Sequence, residues 1–255
     1  MYNDLFSIGP LTVHSYGVMI AIGVLAAVIL SEKRANKNEL NGDATFNAEV
    51  IGLLAGLIGA KLTFVIANFK EFIESPKTVL GTEGFVVMGG VLIGVLVGFL
   101  ILRKADGHKS EYLDVVIPQV PLAQGFGRIG CFLAGCCYGK PTHAWFGVIF
   151  PEGSVAPAGI PLIPTQLISS AADFILFAVL ILISRKKHSN GTIVALYFIL
   201  YGIGRFFMEM MRWDDRTHLG ALTSNQIVCL VLVAAGIGAV IYLAKKKPFG
   251  VRTLK

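Results

Sequence analysis

Long apolar runs alternate with short polar stretches along the whole chain, and each run is close to the length of a membrane crossing. Seven runs are predicted as helical spans, at about 14–30, 48–67, 85–102, 112–128, 162–183, 193–211 and 225–243. A hydrocarbon core of about 30 Å needs about 20 helical residues, which each clear run approaches. The fourth run is the most broken, because Pro118, Gln119, Pro121 and Gln124 interrupt it. After the second run comes the partly charged segment NFKEFIESPKTVLGTEG, expected along the outer membrane interface. A loop rich in Gly, Pro and Cys at about 129–161 is expected to be extracytoplasmic. The pattern predicts an all-α fold, a polytopic membrane helix bundle forming one integral-membrane domain over residues 1–255.

Charge placement orients the bundle. Basic residues gather at Lys33, Arg34 and Lys37, at Arg103, Lys104 and Lys109, at 185–187 and at 245–247, each between or after apolar runs. Under the positive-inside rule these loops are cytoplasmic, which puts the N-terminus outside and the C-terminus in the cytoplasm. The leader MYNDLFSIGPLT has no basic n-region, so the first span is expected to be retained. Composition agrees: 55% of residues are hydrophobic and 15% charged, where soluble domains carry about a quarter charged. The net charge of +6 sits in cytoplasmic loops, so nucleic acid is not expected as a partner.

Polar residues inside such spans are costly and mark function. On the sixth run Tyr201, Arg205 and Glu209 follow at four-residue spacing and Arg212 lies three beyond, forming a polar stripe on one helix face. An internal ion pair accounts for one arginine; the second leaves positive charge for an anionic group. Arg128 stands among glycines in GFGRIGCFLAGCCYG, and its planar donor fork matches phosphate oxygens. The spacing there does not match a P-loop or a dinucleotide fingerprint.

Cys131, Cys136 and Cys137 follow in C-x4-C-C spacing, without the second pair that a structural zinc site normally has. A disulfide, small packing residues, or a reactive thiol or metal site are the alternatives, and Cys229 reads as packing. His14 and Tyr16 sit at the outer mouth of the first span, and His143 and His218 also fall on the outer side, whereas His108 and His188 fall in basic loops. Asp214, Asp215 and Arg216, then Asn225 and Gln226, add polar groups between the last two spans. Gly89 and Gly90, in VMGGVLIGVLVG, suit close helix packing and also a backbone amide exposed to a ligand. An inverted repeat with paired broken helices, the mark of a transporter, is not evident.

QGFGRIGCFLAGCCYG and LYGIGRFFMEMMR, with SYG near the start and LTSNQ before the last span, resemble the prolipoprotein diacylglyceryl transferase family over essentially the whole chain. The resemblance implies transfer of diacylglyceryl from phosphatidylglycerol to the lipobox cysteine of a prolipoprotein signal peptide, forming a thioether and releasing glycerol phosphate. It implies a multi-pass protein of the bacterial cell membrane with no metal or organic cofactor, and a monomer is expected. Carried over, Arg128 and Arg205 hold the phosphate, Glu209 orients Arg205, Tyr16 and Tyr201 line the cavity, and Gly139 shapes the signature loop. Arg212, Gly89, Gly90 and Gln226 complete the expected substrate contacts. The nucleophile is the substrate's cysteine.

Three positions depart from the family pattern. A His-Gly-Gly motif reads Met88–Gly89–Gly90 here, an asparagine position holds Cys131, and a glutamate position holds Cys136. His14 is a candidate substitute base. The alternatives are a related membrane transferase with another acceptor, and an inactive lipid-binding or transport protein.

Overall fold

A computed structural model describes residues 4–8, 11–81, 84–105, 109–213, 218–219, 221–245, 251–252 and 254. Among the described residues there are ten helices: α1 (Ser15–Lys37), α2 (Gly42–Ala67), α3 (Phe69–Glu74), α4 (Pro76–Val79), α5 (Val87–Ala105), α6 (Lys109–Val116), α7 (Gln119–Ala134), α8 (Thr165–Ser184), α9 (Thr192–Met211) and α10 (Ser224–Lys245). The strands form three two-stranded antiparallel pairs, the largest joining Asp4–Ile8 to Leu11–His14. Six helices, α1, α2, α5, α8, α9 and α10, are long and apolar enough to cross a membrane. Their exposed side chains are themselves apolar, as with Leu54, Leu57 and Ile58 on α2 and Leu92, Val95 and Leu96 on α5. Such faces call for lipid, and the fold is a polytopic helical membrane protein.

The remaining predicted span is divided. Ile117 and Pro118 break it into α6 and α7, because proline has no N–H to donate and disfavours a helical residue before it. Pro118 is then the N-cap of α7 and Pro121 lies in its first turn, where backbone N–H groups lack helical partners anyway. The 16 residues of α7 reach about 24 Å. The eight residues of α6 are too few to cross a membrane, and α6 is not among the six helices long and apolar enough to do so.

Two expected boundaries move. The basic run KRANK does not stop the first helix, since α1 continues through it to Lys37. Lysine and arginine are good helix formers and favour the negative end of the helix dipole. Glu39 then takes a left-handed conformation, φ 61°, and the Asn41 side chain caps α2 by accepting the Ala44 N–H at 2.8 Å. The outer loop, expected from 129, starts only after Ala134. There Gly135 turns left-handed, its N–H reaches Phe132 O, and the Cys136 N–H reaches Cys131 O at 3.1 Å. This is a Schellman turn, and it leaves Arg128 and Cys131 on the helix. Asp214, Asp215, Arg216 and His108 lie outside the described residues, as does the side chain of His218.

The backbone groups into two compact units, Met1–Leu30 with Leu113–Lys255, and Ser31–Tyr112. In the first, glycines let helices touch. A methyl at Gly23 on α1 would lie 2.8 Å from Phe126 Cβ on α7, and one at Gly236 on α10 would lie 2.8 Å from Ala195 O on α9. The Ser170 hydroxyl on α8 donates to Gly125 O on α7 at 2.9 Å, beside an edge-on contact of Phe126 with Phe174. In the second unit α2 and α5 cross through small residues at four-residue spacing. A methyl at Gly90 would sit 2.7 Å from Gly56 O, and one at Gly94 2.8 Å from Gly52 O.

Candidate active site

Arg128 on α7 and Arg205 on α9 face the same cavity of about 80 Å³, whose walls include Ser169 and Asp173 on α8 and Tyr201, Gly204 and Met208 on α9. Three helices of the first unit thus bring two guanidinium groups together. Two like charges at one place repel unless an anion or a carboxylate joins them.

The arginines are held differently. Arg205 Nη2 lies 3.2 Å from Glu209 Oε2, one turn along α9, and the glutamate side chain is fully buried. The other Glu209 oxygen accepts from Asn225 Nδ2 at 3.0 Å and from the Thr223 hydroxyl at 3.3 Å. Glu209 therefore fixes Arg205 to the start of α10. Arg128, by contrast, has no carboxylate within ion-pair distance among the described residues. Tyr201 stacks on Tyr197 with ring centroids 5.3 Å apart, which sets its ring along the cavity wall.

The two arginine-bearing segments are also joined through their backbones. Gly139 and Arg212 form an antiparallel bridge, with the Lys140 N–H on Met211 O at 3.0 Å and the Trp213 N–H on Tyr138 O at 3.2 Å. Gly139 is packed so closely that a methyl there would lie 2.7 Å from Thr165 Cγ2 and 2.8 Å from Ile163 O. This close packing holds the loop at Gly139 against the start of α8. Tyr16 on α1 lies over Gly130, where an added methyl would be 3.1 Å from Tyr16 Cδ2.

Cys131, Cys136 and Cys137 come together beyond Arg128, their sulfurs all within 4.8 Å of one another. They are free thiols, as is Cys229, which is buried against α9 as expected of a packing residue. The start of α8 fixes the two loop cysteines: the Thr165 hydroxyl donates to Cys137 O at 2.8 Å and Gln166 Nε2 to Cys136 O at 2.7 Å. Hydrogen bonds from Cys131 and Cys136, helped by the charges of Arg212 and Arg128, draw the Cys137 thiol well below the ordinary thiol range. Its hydrogen-bonded neighbours and burial push Cys136 the other way.

Other predicted residues have places elsewhere. Gln226 forms a capping box at the start of α10: its Oε1 accepts the Thr223 N–H at 3.0 Å, and its own N–H donates to the Thr223 hydroxyl at 3.2 Å. Gly89 and Gly90 belong to the second unit, where both are buried against α2 and Met88 beside them is half-exposed. His14 and His143 are exposed, and His188 Nε2 lies 3.8 Å from Asp114 Oδ2 at the opposite helix ends. No histidine lines the cavity among the described residues.

Asp173 escaped the sequence reading. It is the one carboxylate in the apolar run at 162–183, and it is buried in the cavity wall with both arginines. The cost of a charge within a span was the available signal, the same one that singled out Arg205.

A family model described as prolipoprotein diacylglyceryl transferase matches residues 3–242. The phosphatidylglycerol–prolipoprotein diacylglyceryl transferase of Clostridium tetani is 43% identical over 235 residues, covering 91% of this chain and 94% of that protein. A second enzyme of that name from Clostridium perfringens is 40% identical, covering 89% and 90%, and one from Dehalococcoides mccartyi is 34% identical, covering 95% and 94%. A likeness that spans both arginine-bearing helices, the loop that bridges them and nearly everything around them is not confined to a motif, and the chain belongs to the prolipoprotein diacylglyceryl transferase family.

Proposed function

We propose that this chain transfers the diacylglyceryl group of phosphatidylglycerol to the cysteine thiol of a prolipoprotein. The acceptor sulfur, its proton lost to water, attacks the glycerol carbon bound to phosphate, a C–S bond forms, and the C–O bond breaks with its electron pair leaving on glycerol phosphate. Negative charge develops on the leaving group, and fixed cations aimed at it lower the barrier. Arg128, with no carboxylate partner among the described residues, is the principal phosphate ligand, and Arg205, steadied by Glu209, is the second. Tyr201 lines the lipid side of the cavity, while Tyr16, Gly139 and Arg212 frame the approach of the acceptor. The observation that carries this reading is the convergence of Arg128 and Arg205 on one cavity in a chain of this family.

Helix directions support a site at the outer face. Within the first unit, the basic residues Arg185 and Lys186 follow α8 and Lys245 ends α10. Arg128 and Arg205 lie toward the opposite ends, in the last halves of α7 and α9. With basic ends inside, both arginines lie toward the side where secreted prolipoproteins emerge. The protein is a multi-pass protein of the bacterial cell membrane, and one copy encloses the residues assigned here.

Purified protein with phosphatidylglycerol and a lipobox peptide provides the test, read by mass spectrometry. The expected result is a diacylglyceryl adduct on the peptide cysteine with an equal yield of glycerol phosphate. Folded protein that binds phosphatidylglycerol yet forms no adduct would contradict the assignment and point to another acceptor.

A further inference from the structure

We propose that Cys131, Cys136 and Cys137 form a three-sulfur site for a thiophilic divalent cation of the zinc type, with its fourth coordination position left to the thiol of the acceptor peptide. The identity of that fourth ligand rests on the transferase reading above; the metal site itself does not.

The geometry comes from one turn. The Schellman turn at Gly135 reverses the chain and returns Cys136 over Cys131, whose carbonyl oxygen lies 3.7 Å from Cys136 Sγ. Cys137 then takes a left-handed conformation, φ 61°, which costs a side-chain-bearing residue free energy and persists where surroundings impose it. Thr165 and Gln166 impose it by binding the carbonyls of both cysteines. The three sulfurs end within 4.8 Å of one another. Zinc–sulfur bonds of about 2.3 Å place tetrahedral sulfurs about 3.8 Å apart, so side-chain shifts of about 1 Å or less close the site. Such outer hydrogen bonds are what orient metal ligands.

Ligand number decides the kind of site. Structural zinc is enclosed by four protein ligands, whereas reactive zinc has three and one open position. Here Cys131 is buried, and Cys136 and Cys137 are only partly so, which leaves the loop side of the cluster accessible to a fourth ligand. Arg128 lies three residues before Cys131 on α7, hence on the same helix face. Phosphate held by Arg128 and a thiol held at the metal would therefore meet along one face of α7.

The chemistry balances without a redox partner. Coordination acidifies the acceptor thiol, its proton passes to water, and the metal-bound thiolate displaces glycerol phosphate from the glycerol carbon. The thioether product is a weaker ligand than the thiolate and departs. This supplies the deprotonation for which the cavity holds no histidine among the described residues.

Cobalt(II) titration of the reduced, chelator-treated chain in detergent tests the site, with thiolate-to-cobalt charge-transfer absorption as the readout. The expected result is saturation at one equivalent, competition by zinc, and loss of the signal in Cys131→Ser and Cys136→Ser but not in Cys229→Ser. A cysteine-containing lipobox peptide should then increase the charge-transfer intensity, and its serine analogue should not. No tetrahedral cobalt signal in the reduced wild-type chain, or a signal retained in both cluster variants, overturns the site. Equal adduct formation by metal-free and zinc-loaded chain overturns the role in thiol activation while leaving the transferase assignment intact. A cobalt site in a chain that makes no adduct fails the transferase reading alone.

Discussion

Arg128 and Arg205 differ less in chemistry than in what restrains them. Arg205 is tied through Glu209 to Thr223 and Asn225, so its position is set before a lipid arrives. Asp173 lies in the wall of the same cavity, beyond ion-pair distance of both arginines, and its charge would oppose a phosphate held there. Replacing it by asparagine preserves its shape and removes the opposing charge. Asp173→Asn is expected to tighten phosphatidylglycerol binding by about tenfold, a modest fraction of the pairwise energies near a protein surface; weaker binding in lipid-nanodisc titrations would make Asp173 a positioning group instead. The arginines were legible in the sequence because a guanidinium within an apolar run has few bland explanations. The cysteine cluster was not, because C-x4-C-C spacing carries no sign that a left-handed Gly135 folds the chain back on itself. Gln226 carries a second meaning for a related reason: T-x-x-Q before an apolar run is also a capping signature, and its side-chain oxygen caps the start of α10.

Among the elements, the existence of the six long apolar helices followed from hydrophobic run length, and the errors in them lay at helix ends, where hydropathy has no say. The continuation of α1 through KRANK and of α7 to Ala134 depends on caps and backbone turns. The glycines of α2 and α5 illustrate a pattern with two meanings. Gly90→Ala would bring a methyl within 2.7 Å of Gly56 O, and overpacking of this kind costs about 1–3 kcal/mol. A lower melting temperature with unchanged KM for phosphatidylglycerol assigns Gly90 to packing, and a raised KM at unchanged stability assigns it to substrate.

At the opposite helix ends, Asp114 on α6 accepts the N–H groups of Gly191 at 2.7 Å and Val194 at 3.1 Å, capping α9. Burial pushes its carboxyl up from 3.8 to about 6, against the pull of those hydrogen bonds and of His188. A raised carboxyl stabilises the fold when protonated. That contribution, about 3 kcal/mol, is complete below pH 4 and lost as pH rises through 6. Asp114→Asn should flatten the fall in melting temperature between pH 4 and 6.5, and parallel curves for the two proteins would refute this.

For the molecule as a whole, the distribution of charge sets sidedness. Residues 185–187 and Lys245 mark one set of helix ends, and the cavity and the 135–164 loop mark the other. In that loop Trp145 is 96% exposed, the placement of an aromatic side chain at a membrane interface or a partner surface. In intact cells a membrane-impermeant maleimide should label an Ala144→Cys variant at residue 144 and label Lys187→Cys only after permeabilisation, each read by peptide mapping. The reverse pattern would place the site in the cytoplasm, away from secreted acceptors. The fold class was legible at this scale from apolar runs alone, since helices are the economical way for one chain to satisfy its backbone repeatedly in lipid. The divided α6–α7 segment was the exception, and its prolines and glutamines flagged it in advance.

The claim on which the rest depends is that Arg128 and Arg205 act together on one phosphate. Single-turnover transfer from phosphatidylglycerol to a lipobox peptide, with lipid saturating, measures this directly in the wild type, Arg128→Ala and Arg205→Ala. Each variant, folded and lipid-bound, is predicted to form the adduct about 100- to 1,000-fold more slowly, as expected when a donor to a developing oxyanion is removed. Wild-type rates in either variant would contradict the assignment of the cavity as the reaction site.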